Sequence, residues 1–174
     1  MSSGVIIATP EQMEALGRHL AGILRRGDVL ILTGELGAGK TTLTRGIGEG
    51  LGILGTVTSP TFVLASTHPT GGEAPLVHVD AYRLHDALEV DDLGLDPAAS
   101  ITVVEWGEPF AEAFGDAWCE LVLERPMGGV DADAPLDGPE PRRVLLRDHG
   151  APGLFGRLDA VLMKEGTTHA VDGD

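Results

Sequence analysis

Apolar positions along the chain follow two rhythms, and the alternation between them predicts a succession of strands and helices. "VIIA", residues 5–8, is an apolar run of strand length. Thr9-Pro10-Glu11-Gln12 follows as a capping box with proline at the first helical position. Met13, Leu16, Leu20, Ile23 and Leu24 then keep helical spacing up to Gly27. "DVLILT" (28–33) is apolar without a polar face, as expected of a strand covered on both sides. After a glycine-rich turn, "KTTLTRGIGEGL" returns to helical spacing and closes at Gly52.

The second half repeats the alternation. "TFVLAST" (61–67) and "PLVHVDAY" (75–82) are strand-like, and the turn-rich "HPTGGEA" between them predicts a hairpin. "DALEVDDLGL" predicts a short acidic helix, "ITVVEW" (101–106) a buried strand and "EPFAEAFG" another helix. "AWCELVLE" and "RRVLLRD" predict two late strands, separated by a Pro, Gly and Asp-rich loop over 126–141. A final helix is expected around 152–163, with fraying from there on. The chain thus reads as one α/β domain over 1–165 and a tail over 166–174, without internal repeats.

Composition narrows the function. The formal net charge is −15, which argues against a chain that grips a phosphate backbone by itself. No apolar run approaches the length of a bilayer span, so no membrane association is expected. The N-terminus has no basic stretch followed by an apolar one, and the single Cys119 can form no internal disulfide. A cytoplasmic location is the expectation.

Against this acidity, the first of only two lysines sits in "GELGAGKTT", residues 34–42. Gly34, Gly39, Lys40 and Thr41 match G-x-x-x-x-G-K-[ST], the P-loop pattern, between an apolar strand and a helix as that motif requires. Glycines let the backbone turn its N–H groups toward a phosphate, the lysine reaches the β- and γ-phosphates, and the threonine hydroxyl faces Mg²⁺. Such a site needs a carboxylate at the end of a neighbouring buried strand. Asp80 in "LVHVD" and Glu105 in "ITVVE" both qualify, and spacing does not say which meets the metal. Thr58, Ser59 and Thr61 in "TSPT" carry hydroxyls that could sense a γ-phosphate. Trp106 is either core or packs beside the site. His78 shares a strand face with Asp80, and as a lone histidine it reads as a structural hydrogen-bonder, with no His/Cys cluster to suggest zinc.

"GELGAGKTT", "SPTF", "HVDAYRL" and "VVEWGE", in this order and spacing, resemble the TsaE (YjeE) family, the ATPase of bacterial tRNA threonylcarbamoyladenosine biosynthesis. The resemblance covers about residues 5–125. It implies a three-layer P-loop NTPase-like fold with a mostly parallel central sheet and antiparallel late strands. It also implies ATP and Mg²⁺ as cofactors, with hydrolysis serving the TsaB and TsaD subunits that transfer threonylcarbamoyl to adenosine 37 of tRNA. The tRNA would be met only through those partners, which reconciles the acidity with the pathway. By the same resemblance, Glu35, Leu36, Gly37, Ala38, Gly39, Lys40, Thr41 and Thr42 cradle the phosphates, and Thr41 and Glu105 hold the metal. Asp80 is required for hydrolysis alongside Glu105 and Lys40. Adenine is met near Thr9 and Glu11 and by a late-strand arginine, with Arg143 the first choice and Arg142 the alternative. Three rivals compete with this reading. A small GTPase lacks its base-reading N-K-x-D here, since the chain contains no Asn. A P-loop kinase lacks the usual arginine-rich lid. A nucleotide-gated binding module without turnover is the third.

Overall fold

The computed structural model describes residues 3–57, 64–125 and 140–171. Its strands are β1 (Ser3–Ile7), β2 (Val29–Gly34), β3 (Ala65–His68), β4 (Leu76–Asp80), β5 (Ile101–Glu105), β6 (Trp118–Glu124) and β7 (Arg142–His149). They form one sheet in the order β1-β7-β6-β2-β5-β4-β3. The inner strands β6, β2, β5 and β4 run parallel. Antiparallel partners finish both sides, with β3 beside β4 and with β7 and then β1 beyond β6. The β3–β4 pairing is the predicted hairpin.

Period-two alternation sorts the strand residues into two cores. On β2, Leu30 and Leu32 point into the larger core, shared with α1 (Pro10–Ala21), α2 (Lys40–Gly50) and α5 (Pro152–Val171). Val29 and Ile31 point the other way, toward α3 (Ala87–Asp92) and α4 (Ala111–Phe114). A strand with helices on both faces has no use for a polar alternation, which is why "VLIL" is unbroken. The result is the three-layer α/β fold expected of a P-loop protein.

Helix α1 starts as its capping residues predict. Thr9 Oγ1 accepts from the Gln12 N–H at 3.2 Å, and Gln12 Oε1 accepts in return from Ala8 N–H at 2.8 Å, one residue earlier than a standard capping box. The helix ends at Ala21, short of the expected Leu24. Helices α1 and α2 cross with their backbones in contact: a Cβ on Gly17 would lie 2.4 Å from Leu43 O, and one on Gly46 would lie 2.1 Å from Glu14 O. No side chain larger than hydrogen fits at either position.

Three segments differ from the sequence expectation. "EPFAEAFG" forms a 3₁₀ turn over Glu108–Phe110 and then only the single short α4, after which Gly115 is extended. Helix α5 continues through Val171 instead of stopping near 163. Thr58, Ser59, Thr61 and most of the expected 126–141 loop lie outside the described residues. Among the described residues, no helix is long and apolar enough to cross a membrane.

Candidate functional site

The loop between β2 and α2 is shaped by glycine. Gly37 and Gly39 have φ of +78° and +107°, a region that costs an L side chain roughly 1–2 kcal/mol. A Cβ on Gly34 would sit 2.5 Å from Leu123 O, so the loop leaves β2 pressed against β6. Gly39 then caps α2 without a side chain, leaving the first N–H groups of the helix facing outward at its positive end.

Lys40 opens α2, yet only 5% of it is exposed. Its ammonium donates to Gly34 O at 2.7 Å and Glu35 O at 2.8 Å, bending back across the loop. The Trp106 ring covers it, with the centroid 3.9 Å from Nζ, a cation–π contact. Burial pulls the lysine below its ordinary pKa, and Glu105 and then Asp80 oppose that shift through their negative charge. Trp106 reaches this place through φ +59°, the sole positive φ outside glycine among the described residues. The backbone strain is thus spent on aiming one indole at the loop lysine. Tyr82, 68% exposed, packs tilted against Trp106 with ring centroids 5.2 Å apart.

The two strand-end carboxylates meet here. Parallel pairing of β4 and β5 sets Asp80 opposite Glu105 in register. Glu105 is 3% exposed and its two oxygens have different neighbours. Oε2 accepts from Thr41 Oγ1 at 3.0 Å, while Oε1 lies 2.9 Å from His78 Nε2 and 3.3 Å from Thr44 Oγ1. Thr44 has one proton to share between Glu105 and Lys40 O, which is 2.9 Å away. Asp80 accepts the Tyr82 N–H at 3.1 Å and so caps the turn that carries Tyr82.

Residues 36–42, Asp80, Tyr82, Glu105 and Trp106 line one cavity of about 270 Å³. Its position outside the carboxyl ends of β2, β5 and β4 is where open α/β sheets place their ligands. The walls suit a small hard cation held jointly with an anionic ligand: one hydroxyl and one buried carboxylate oxygen adjoin, and the other positions are left to phosphate and water. Among the described residues, no group of three or more His, Cys, Asp or Glu side chains forms a self-sufficient metal site.

A second cavity of about 260 Å³ adjoins the first, walled by Ile7, Thr9, Pro10, Met13, Gly37, Ala38, Gly39, Thr42, Glu140 and Arg142. Thr9, at the start of α1, is one of these walls. Glu11 is exposed and stands outside these walls. Of the two late-strand arginines, Arg142 lines this cavity and Arg143 does not. Arg142 is 17% exposed, approaches Gly37 O at 3.5 Å and pairs with Glu140 at 3.2 Å. Arg143 is 52% exposed and pairs with Glu124 at 3.8 Å. Alternation explains the difference: Val144 and Leu146 belong to the larger core, so Arg142 shares their face and Arg143 points to the other. Among the predicted site residues, Glu35 contributes through its carbonyl, and Leu36 projects into solvent at 87% exposure. Tyr82, Thr44 and Glu140 were not singled out from sequence; Tyr82 and Thr44 act through contacts distant along the chain, and Glu140 through its near neighbour Arg142.

Comparisons with known proteins agree with this arrangement. The family model for the threonylcarbamoyl adenosine biosynthesis protein TsaE matches residues 7–127. A tRNA threonylcarbamoyladenosine biosynthesis protein TsaE from Streptomyces coelicolor is 57% identical over 120 residues, covering 67% of this chain and 81% of that one. The Bacillus subtilis protein of the same description is 41% identical over 119 residues, covering 67% and 73%. The crystal structure of Bacillus subtilis YdiB superposes with a TM-score of 0.64 at 27% identity, over 98% of this chain and 97% of that one. The chain belongs to the TsaE family of tRNA threonylcarbamoyladenosine biosynthesis proteins.

Proposed function

We propose that this protein binds ATP with Mg²⁺ and hydrolyses it in support of the TsaB–TsaD complex, which carries threonylcarbamoyl to adenosine 37 of tRNA. The observation that carries the proposal is the convergence of Lys40, Thr41, Glu105 and Asp80 on one cavity at the strand ends. Backbone N–H groups from Gly37 to Thr42 and the Lys40 ammonium bind the phosphates. Thr41 Oγ1 and Glu105 Oε2 hold the cation, which supplies charge neutralisation at the phosphates when bound. Asp80, beside Glu105 in the sheet, orients the attacking water. Adenine occupies the second cavity against Ile7, Pro10 and Met13, with Arg142 at its mouth.

No arginine lines the phosphate-side cavity among the described residues, which favours slow, partner-dependent turnover over a kinase with an arginine lid. The test is reconstitution of tRNA modification from threonylcarbamoyl-adenylate with TsaB and TsaD, with and without this protein, under multiple-turnover conditions. Sustained modification and ATP consumption only in its presence are expected. Modification that proceeds equally without it, or ATP binding without turnover in the complex, sinks the proposal. Asp80→Asn should keep ATP·Mg²⁺ binding and lose turnover even at excess Mg²⁺, measured by phosphate release.

A further inference from the structure

We propose that His78 is a positioning residue that clamps one oxygen of Glu105, so that the other is held facing Thr41 for the cation; this rests on reading Glu105 as the metal-holding carboxylate.

His78 is fully buried on β4, between the sheet and α2, and among the described residues its ring makes one polar contact, from Nε2 to Glu105 Oε1 at 2.9 Å. Its other nitrogen, Nδ1, is buried without a hydrogen-bond partner among the described residues. A buried ring nitrogen left unpaired is a cost the fold carries, and an aliphatic side chain in this place would not carry it. The remaining contact therefore accounts for the imidazole. For that contact to be a hydrogen bond, Nε2 carries the proton and Glu105 accepts it. Glutamate has several freely rotating bonds, and its carboxylate can present either oxygen or swing out of line. His78 on Oε1, together with Thr44, leaves Oε2 beside Thr41 Oγ1. The clamp is made of one ring N–H from His78 and a Thr44 hydroxyl whose proton is shared with Lys40 O. Lys40, the cation in the neighbourhood, is tied to the carbonyls of Gly34 and Glu35. Partners that orient a metal-holding side chain from behind typically contribute tenfold to a hundredfold in metal affinity.

The test uses the full chain and ADP, which removes turnover from the measurement. Calorimetric titration of ADP is run in EDTA and across a MgCl₂ series for wild type, His78→Leu, His78→Gln and His78→Asn. Glutamine carries its amide nitrogen out to about the Nε2 position, whereas asparagine places it near Nδ1. His78→Leu is expected to raise the Mg²⁺ concentration for half-maximal tightening by about tenfold, with affinity in EDTA within about twofold of wild type. His78→Gln should return most of the loss and His78→Asn should not. In a Glu105→Gln background, His78→Leu should add less than about twofold. If His78→Leu fails to melt cooperatively, the contrast between glutamine and asparagine decides. An unchanged Mg²⁺ requirement, equal defects in the Gln and Asn variants, or a loss of affinity that appears equally in EDTA overturns the inference. Wild-type ADP affinity that ignores Mg²⁺ would instead remove the metal reading of Glu105, and the inference with it.

Discussion

Two glutamates, Glu105 on β5 and Glu120 on β6, flank the central strand β2 at almost the same height and are both 3% exposed. They point to opposite faces of the sheet. Glu105 lies on the face of α2, held by Thr41, Thr44 and His78. Glu120 lies on the other face, where it accepts from Thr33 Oγ1 at 2.6 Å and meets His149 at 3.2 Å and Arg147 at 3.6 Å. Trp118 stacks on His149 with centroids 5.2 Å apart. Glu120 is neutralised by its own surroundings, so its charge is spent on joining β2, β6 and β7. Glu105 is surrounded by hydroxyls and an imidazole and opens onto a cavity. Burial is the same in both, and both meet a hydroxyl and an imidazole; Glu120 has the Arg147 guanidinium besides, whereas Glu105 faces an open cavity.

The contrast between faces can be broken by mutation. The largest effect belongs to Lys40→Ala, which removes the ammonium on the ligand face: ATP·Mg²⁺ affinity should fall by about a hundredfold or more, ~3 kcal/mol, by calorimetry. Next comes the glutamate pair. Glu105→Gln should raise the Mg²⁺ requirement by about tenfold, with partial rescue at high Mg²⁺ and a Tm no lower than wild type, because a buried charge has been removed. Glu120→Gln should do the reverse. It strands Arg147 and His149, costs about 1 kcal/mol or ~3 °C in Tm, and leaves nucleotide affinity within about twofold. A nucleotide defect in Glu120→Gln would show that the two faces are not separate.

The arginines give a smaller contrast. Arg142→Ala should weaken ATP by about tenfold, and Arg143→Ala by less than about twofold, in the same titration. The smallest effect is set by pH. Lys40 is pulled below its ordinary value of 10.5 by burial. ATP affinity should therefore begin to decline at a lower pH than an ordinary lysine would give, which titration of ATP across an alkaline pH series would register. In the unfolded chain the lysine keeps its proton up to about 10.5, so in the window below that value the unfolded state binds more protons. Ligand-free stability should accordingly rise with pH there relative to Lys40→Ala, as thermal melts across the series would register.

The layout of strands was legible because the buried strands are mostly apolar and their turns are rich in Gly and Pro. The phosphate loop was legible because its residues are contiguous. What escaped were facts about faces and distant partners. "RRVLLRD" has three consecutive apolar residues, so its alternation has no readable phase, and Arg142 could not be told from Arg143. Glu120 hides inside "CELVLE", where its partners Thr33 and His149 come from other strands. His78 looked like a structural hydrogen-bonder, which it is; the structure adds that its partner is Glu105. The helix expected over 108–115 is divided, since Pro109 suits a first turn but "AEAF" is too short to continue before Gly115.

The backbone contact at Gly17 and Gly46 has a mechanical consequence. Helix α1 begins at the proposed base cavity and α2 begins at the phosphate loop, and two helices touching backbone to backbone move as one piece. The span between Thr9 and Lys40 then works as a ruler of fixed length. An ATP bound as proposed would have to match it from base to phosphate, because the close contact at Gly17 and Gly46 leaves little room for the helices to slide against each other.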